Sequence, residues 1–596
     1  MQYRSRPLRD FEHFSRAKLL AWAVVVVCFS LLVAQLLRLT VFQHEKYLSQ
    51  ARENLYITKR LSYPRGNILD RDGVVLATNQ KTYALTFNPY GMKDAAAREA
   101  LGKLGLDETE LPESRVDEIL ATRPRWTRHT LVSGVALERV LPMLERPNDF
   151  PGVRVETGFT REYAMPVEFA HVIGYTSAIQ PNETKAYPRP RYLPDDRVGR
   201  TGLEQRYQDE LAGNPGRERL KRDARGARLD DPELLASSEP GKNLYLTLDS
   251  RLQKKAMELL RGEKGTIILM EAQSGAVLAM ASSPTYDPRN PAGEQTLGMP
   301  SGYMNLATRG GYAPGSTMKI VGAATMLRAG ADPLRKIICD GDFHLPGWGR
   351  AFHCAVRSGH GSVTLADAIK ESCNVYFYEA GSELGAEPLF AMAREFGFEE
   401  KTGIDLPGER APKLCAVENP GPGETTNLWI GQGSMLATPI QVARAYAGIA
   451  TGSLPTPHVV AAIGLSDDDR KEIVTPHRAL NVSAVDRAVI VDGLWRVLNE
   501  RGGTAFKAEI PRAWDVAGKT GTAENPQGSN DAWFAGFFPR ANPTHVFVVH
   551  IESTDKHGGE VAGPIAKQMI DAFLHPVSDA QVAGAPMAVA ALPANP

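Results

Sequence analysis

Long apolar runs are almost missing from this chain of 596 residues. One stretch, 19–37, carries no charge and is dominated by Leu, Val and Ala; no second run of comparable length follows it, which argues against a polytopic membrane protein. Cysteine is scarce as well. Cys28, Cys339, Cys354, Cys373 and Cys415 are the full complement, too few for a disulfide scaffold. Neither sign of charge is in excess. The 68 Lys and Arg face 69 Asp and Glu, for a formal net charge of -1, so nothing in the balance suggests a nucleic-acid binder. There is no internal repeat. What is present, 43% hydrophobic and 23% charged residues, is ordinary globular composition. The length exceeds what one hydrophobic core organises, so two or three domains are expected.

A helix of about nineteen residues spans roughly 28 Å, close to the hydrocarbon thickness of a bilayer. Arg4, Arg6, Arg9, Arg16 and Lys18 precede the apolar run. By the positive-inside rule they keep the N-terminus in the cytoplasm and send the rest out. A cleaved signal peptide fits less well, because no small-x-small cleavage site follows. A buried core helix would rarely be apolar on every face. The reading is a single-pass anchor in the cytoplasmic (inner) membrane: residues 1–18 cytoplasmic, 19–41 in the membrane, and the main body periplasmic.

Residues 42–241 read as one unit. Its start, 42–61, is polar with helical spacing, as in a stalk leaving the membrane. Asp72-Gly73 is a hairpin signal, with Val74, Val75 and Leu76 as a strand behind it. The charged segments 188–196 and 217–239 read as exposed and flexible. The texture changes at Lys242. Residues 243–248 alternate as a strand, Asp249 can cap a helix from Ser250, and 266–270 and 277–281 read as strands around the turn Gln273-Ser274-Gly275. Such elements continue to about Leu574, so 242–577 is taken as one domain, and the Ala- and Pro-rich 578–596 as a disordered tail.

Three motifs carry the chemistry. Ser316-Thr317-Met318-Lys319 follows Pro314-Gly315 and opens an apolar helical stretch. Residues three apart share a helix face, so Lys319 can lie beside Ser316. A serine hydroxyl needs a base, and a lysine can serve when burial and nearby positive charge favour its neutral form. Ser372-Cys373-Asn374 places a hydroxyl and an amide on a loop where both can face one cleft. Lys519-Thr520-Gly521-Thr522 reads as a strand whose glycine lets a peptide approach the backbone. A substrate could add there as a further strand, with the lysine and both hydroxyls suited to its terminal carboxylate. Separately each motif has a structural explanation: a helix cap, a loop amide, a solvated strand end. Together and in this order they are the signature set of penicillin-recognising serine enzymes.

The chain resembles class B penicillin-binding proteins over nearly its whole length, closest to their elongation branch. Residues 65–73, Arg-Gly-Asn-Ile-Leu-Asp-Arg-Asp-Gly, and 199–204, Gly-Arg-Thr-Gly-Leu-Glu, look like that family's pedestal motifs. Gly431-Gln432-Gly433, Thr438-Pro439 and 531–537 resemble the segments around its Lys-Thr-Gly strand. The resemblance implies an α+β multidomain fold: a single N-terminal transmembrane helix, an elongated α+β pedestal domain, and a C-terminal penicillin-binding (transpeptidase) domain with an antiparallel sheet flanked by helices, as in serine β-lactamases. It also implies peptidoglycan D,D-transpeptidation through a Ser316 acyl-enzyme that β-lactams form in place of stem peptides. Lys319 is then the general base, Ser372 a proton relay, Asn374 the holder of the donor amide and Lys519 an electrostatic contributor. Thr520, Gly521 and Thr522 bind substrate, and the N–H groups of Ser316 and Thr522 form the oxyanion hole. The implied partner is a SEDS-family (RodA-like) glycosyltransferase in an elongation complex, with no role for nucleic acid.

Asp340, Cys354, His360 and Cys373 offer one carboxylate, one imidazole and two thiolates, a set that suits tetrahedral structural zinc. Some members of the elongation branch carry zinc near this motif. A Cys354–Cys373 disulfide and plain core packing are the alternatives, and Cys339, Asp342, His344 and His353 are substitute ligands. No cofactor is expected for the chemistry itself. Among rival functions, a β-lactamase would need a positioned base for deacylation, and none is identifiable. A sensor would need more than the roughly eighteen residues before the anchor. A bifunctional glycosyltransferase would need a second catalytic motif set before Lys242. The division-specific class B transpeptidase shares the chemistry, and a catalytically silent scaffold would not need Ser316.

Overall fold

A computed structural model describes residues 9–48, 56–61, 63–123, 125, 127–188, 191–192, 196–221, 230–291, 304–417, 419–525 and 528–576. The tail expected at 578–596 lies outside the described residues.

One unit comprises residues 1–63 and 214–239. Its helix Arg9–Leu37 continues as a wider turn, Arg38–Phe42. Lys18–Phe42 is long and apolar enough to cross a membrane, and its apolar side chains are exposed all round, as lipid contact requires. The helical stalk expected over 42–61 is corrected at its far end. Tyr56–Leu61 is a strand, paired antiparallel with Gly216–Lys221, which pairs in turn with Glu233–Ala236. The charged segment 217–239 therefore contains two strands where flexible chain was expected. The reason is cross-strand charge pairing. Lys59 stands opposite Glu218, with an ion pair at 3.4 Å, and Arg219 opposite Glu233 at 3.4 Å.

The other unit comprises residues 64–213 and 240–596. A seven-stranded sheet runs Lys471–Glu472, Val460–Gly464, Asn243–Leu246, Ile68–Leu69, Val75–Phe87 and His129–Val135, with Val153–Tyr163 also paired to Val75–Phe87. It crosses the expected boundary at residue 242, because Ile68–Leu69 lies parallel to Asn243–Leu246. Both pedestal motifs explain themselves here. Arg65 and Arg161 grip the fully buried carboxylate of Glu204, the latter at 2.6 Å. Burial pushes Glu204 up, but the Arg161 and Arg65 guanidiniums outweigh it and hold the acid below its usual range. A Cβ on Gly66 would lie 1.8 Å from Lys242 O. Asp70 accepts from the N–H groups of Asp72 and Val74 at 2.9 and 2.8 Å, and from Ser250 N–H at 3.2 Å. Asp249 caps the helix Ser250–Leu259 as expected. Replacing Glu204 with glutamine strands two guanidiniums, so denaturant unfolding of the purified chain is expected to show a loss of about 3–5 kcal/mol.

A five-stranded antiparallel sheet is built in the order Val277–Ser283, Gly265–Glu271, His545–Thr554, Asn530–Phe538, Ala517–Glu524. Its inner strands are buried along their length and not at alternate positions, so both faces are covered. The helices Ser250–Leu259, Pro439–Thr451 and Gly558–Leu574 pack on it. Thr438 starts the second of these with a reciprocal capping box to Gln441. Among the described residues Ala517–Glu524 is the outermost strand of this sheet, paired with Asn530–Phe538.

Candidate active site and metal cluster

The turn that carries Ser316 owes its shape to two glycines. Gly315 has φ 54°, and its N–H donates to Gly431 O at 2.9 Å. A Cβ on Gly431 would stand 2.1 Å from Gly315 O. The 431–433 loop can thus press directly against the turn. Gly315–Met318 forms one 3-10 turn and runs into the buried helix Lys319–Arg328. Ser316 is half-buried at its start, and Lys319 is fully buried.

The second motif follows the helix Leu365–Lys370. Ser372 has φ 58°, a left-handed conformation that few non-glycine residues adopt. Asn374 is not a loop residue, as expected, but the first residue of the helix Asn374–Leu384. Lys319 Nζ donates to Ser372 O and to Asn374 Oδ1, each at 2.8 Å, and lies 3.2 Å from Ser372 Oγ. Ser372 Oγ is hydrogen-bonded to Ser316 Oγ at 2.9 Å. The hydrogen-bonded path from Lys319 to Ser316 therefore passes through Ser372. Burial lowers the Lys319 amine to about 8, against an opposing pull from Cys373 and Cys354. The Phe377 ring lies 5.2 Å from the same nitrogen.

The third motif occupies the edge strand Ala517–Glu524. Lys519 is wholly buried, and its Nζ donates to Thr520 O at 3.1 Å. Burial first, and then the positive charge of Lys319, push its amine well below the ordinary lysine value. Thr520 Oγ1 bonds Thr504 Oγ1 at 2.6 Å, and Thr522 Oγ1 accepts from Gly558 N–H at 3.2 Å. A Cβ on Gly521 would stand 3.1 Å from Pro314 O and 3.2 Å from Thr317 Cγ2. This glycine seats the strand on the Ser316 turn. Thr522 O accepts from Gln432 Nε2 at 3.2 Å on the strand's outer edge. The N–H and C=O of one strand residue point the same way, so Thr522 N–H faces the open edge too.

Beside the Ser372–Asn374 turn lies a thiol-rich cluster. Cys339, Cys354, His360 and Cys373 bring their ligand atoms within 4.8 Å of one another. Cys339 Sγ and Cys354 Sγ each lie 3.5 Å from His360 Nδ1. Zn–S of about 2.3 Å and Zn–N of about 2.0 Å across a tetrahedral angle give about 3.5 Å, so the donor set and its spacing fit zinc. The sequence-derived set is corrected at one member. Asp340 is exposed, and its Oδ1 accepts from Asp342 N–H at 3.1 Å. Cys339 takes its place because Ile337–Cys339 is a strand with Ile337 and Cys339 buried and Ile338 exposed. That period of two was the signal available in the sequence. Of the substitutes, Asp342 and His353 pair with each other at 2.6 Å on an exposed hairpin. Cys339, Cys354 and Cys373 are free thiols in this cluster. The cluster touches the catalytic turn directly. Asn374 N–H donates to Cys354 Sγ at 3.3 Å, and Asn374 Nδ2 to His353 O at 3.3 Å.

Comparison with known proteins gives the same account. The penicillin-binding protein transpeptidase domain matches residues 265–571, and the penicillin-binding protein dimerisation domain matches 61–246. The peptidoglycan D,D-transpeptidase MrdA of Acinetobacter baumannii is 30% identical across 95% of this chain and 89% of its own length. The penicillin-binding protein PBP2 of Helicobacter pylori, solved in complex with MreC, superposes with a TM-score of 0.75 at 26% identity, covering 87% of this chain and 99% of that one. A chain from a peptidoglycan synthase complex that coordinates polymerization and crosslinking gives 0.70 at 28% identity, covering 94% and 98%. With its three motifs on one cleft and both domains matched, this chain belongs to the penicillin-binding protein family.

Proposed function

We propose that this chain is a peptidoglycan D,D-transpeptidase of cell elongation that works through a Ser316 acyl-enzyme. The observation that carries this reading is the path Ser316 Oγ–Ser372 Oγ–Lys319 Nζ. A neutral lysine amine has two N–H groups and one lone pair. Ser372 O and Asn374 Oδ1 take the two hydrogens, which leaves the lone pair for Ser372 Oγ. As Ser316 attacks the penultimate D-alanine carbonyl of a donor stem, its proton moves to Ser372 and the Ser372 proton to Lys319. The developing oxyanion is met by the N–H groups of Ser316 and Thr522. The donor lies as an added strand along the open edge, its terminal carboxylate near Thr520, Thr522 and Lys519 beside Gly521. The proton returns along the same path to the departing D-alanine. An amine from a neighbouring stem then attacks the ester. A β-lactam opens on Ser316 in the same way.

The sign of the pH dependence follows. Lys319 is a base only when neutral, and burial brings its amine to about 8. Acylation by a fluorescent penicillin is expected to rise about tenfold per pH unit below 8 and to level off above about 9. A rate flat from pH 6 to 9 would remove Lys319 from the base role.

The zinc ligands in this reading are Cys339, Cys354, His360 and Cys373, and a bound zinc would supply a closed structural cross-link with no open position for chemistry. Lys18–Phe42 anchors the chain in the inner membrane, with the basic flank in the cytoplasm and the catalytic domain, 242–577, in the periplasm. Residues 42–241 form the pedestal. One relative is solved with MreC and another within a peptidoglycan synthase complex, which supports work inside a multiprotein assembly here; a SEDS-family (RodA-like) glycosyltransferase and an elongation complex are the partners this reading names.

A further inference from the structure

We infer that Cys354 and Cys373 are a thiol modification site: a disulfide oxidant joins them to each other and thereby disables the Ser372–Asn374 turn. The inference rests on the active-site reading above, and on the zinc reading only where it speaks of metal release. It concerns what the thiols do and not whether a metal binds.

Three thiols crowd one imidazole within 4.8 Å, and two of them are in direct contact with catalytic backbone. Cys373 is covalently flanked by Ser372 and Asn374. Cys354 Sγ is the acceptor for Asn374 N–H at 3.3 Å. The residue before it, His353, accepts from Asn374 Nδ2 at 3.3 Å and from Tyr378 O–H at 3.4 Å. Every one of these contacts involves a sulfur that would move or a residue next to it in the chain. A disulfide draws its sulfurs to about 2.05 Å with a torsion near 90°. Ser372, already left-handed at φ 58°, has little freedom to follow, so the shift falls on Asn374 and on the Lys319 contacts it shares.

The chemistry balances with a small-molecule disulfide as oxidant. The Cys354 thiolate attacks it and expels one thiolate, leaving a mixed disulfide. The Cys373 thiolate then attacks the Cys354 sulfur and expels the second thiolate. The protein loses two electrons, the oxidant gains two, and a metal held by four donors is left with Cys339 and His360. Disulfides form and persist outside the inner membrane, where the proposed function places this domain. Access is gated: Cys339, Cys354 and Cys373 are 1%, 2% and 0% exposed. The cover next to them is the hairpin Asp342–Phe343 with Phe352–His353, two residues on each strand, which is marginal by itself. Cys415, half-buried with its sulfur 3.0 Å from Ser434 Oγ, and the exposed Cys28 are not part of the cluster, so thiol loss is counted at Cys354 and Cys373 by peptide mapping.

The test uses the full chain in detergent, purified reduced and zinc-replete, then treated with oxidised glutathione. Free thiols, zinc released to a chromogenic chelator, and acylation by a fluorescent penicillin are followed together. The expected result is two thiols lost per zinc released, a Cys354–Cys373 disulfide in the peptide map, and acylation slowed at least tenfold. Dithiothreitol with zinc should restore the rate. In a Cys339→Asp, Cys354→Asp chain, the ratio of oxidised to reduced acylation rates should return to one, whatever its basal rate. Thiols lost with acylation unchanged would overturn the inference, as would zinc kept with thiols unreacted, which leaves the zinc reading intact. A chain that takes up no zinc when it is supplied, yet loses acylation on forming the disulfide, would sink the zinc reading and keep this one.

Discussion

Ser316→Ala is expected to abolish the covalent penicillin adduct, and Lys319→Ala to slow its formation about 10³-fold. The first removes the only hydroxyl the path delivers to the substrate. The second removes the proton acceptor, a role generally worth 10²–10⁴ in rate, or about 3–5 kcal/mol. The structure makes a sharper claim through Ser372. Lys319 Nζ reaches Ser316 by way of Ser372 Oγ, at 3.2 and 2.9 Å, so deleting that hydroxyl should cost nearly as much as deleting the amine. Ser372→Ala would also keep the left-handed backbone strain, and Ser372→Gly relieves it. Both should slow acylation about 10²–10³-fold, with the glycine variant the more stable to denaturant. Adding Lys319→Ala to either should cost little more, because residues acting as one relay are not additive. If Ser372→Gly acylates within a few-fold of the parent while Lys319→Ala does not, the amine acts on Ser316 without the relay. Stopped-flow acylation with the parent, the three single variants and the two double variants decides it.

How much of this was readable beforehand depends on the kind of contact involved. The three motifs were legible because each is local: Ser316 and Lys319 are one turn apart, and Ser372 and Asn374 flank one residue. The edge position of Ala517–Glu524 was legible in outline, since its strand pattern is local too. What stayed hidden is set by long-range packing. Gly521 looked like room for substrate, but its missing side chain accommodates Pro314 and Thr317, which are remote in sequence. The strands Gly216–Lys221 and Glu233–Ala236 read as charged loop because Glu218 and Arg219 find their partners, Lys59 and Glu233, across the sheet. Gln432 stood in a noted loop without a role, and only the fold brings its Nε2 to Thr522 O. Arg65 and Glu204 were each noticed within a motif, yet nothing in either segment announces that they share one buried ion cluster with Arg161.

Removing the metal donors one at a time is expected to separate Cys339 from Asp340 by a large margin. The sequence offers both at the end of one short strand, and the carboxylate is the more familiar oxygen donor. The strand's alternation decides otherwise: Cys339 is buried against His360 Nδ1 at 3.5 Å, while Asp340 is exposed and engaged with Asp342 N–H. Cys339→Ala, Cys354→Ala, His360→Ala and Cys373→Ala should each yield chains with well under one zinc per molecule by elemental analysis. Asp340→Ala should retain about one. The stability cost should follow the metal. Structural zinc sites bind with large free energies, about 10–16 kcal/mol in small domains, and a ligand that binds only the folded state adds its binding energy to folding. In a domain with its own core, a loss of about 3 kcal/mol or more on removing zinc is the expected floor, seen as a drop in Tm that excess zinc reverses only in the parent. Acylation should fall in step, because Cys354 Sγ and His353 O hold Asn374 through its N–H and Nδ2, and Asn374 Oδ1 holds Lys319. Zinc lost in Asp340→Ala and kept in Cys339→Ala would reverse the ligand assignment. Zinc absent from the parent with Tm and acylation unaffected by a chelator would leave the thiols as core residues.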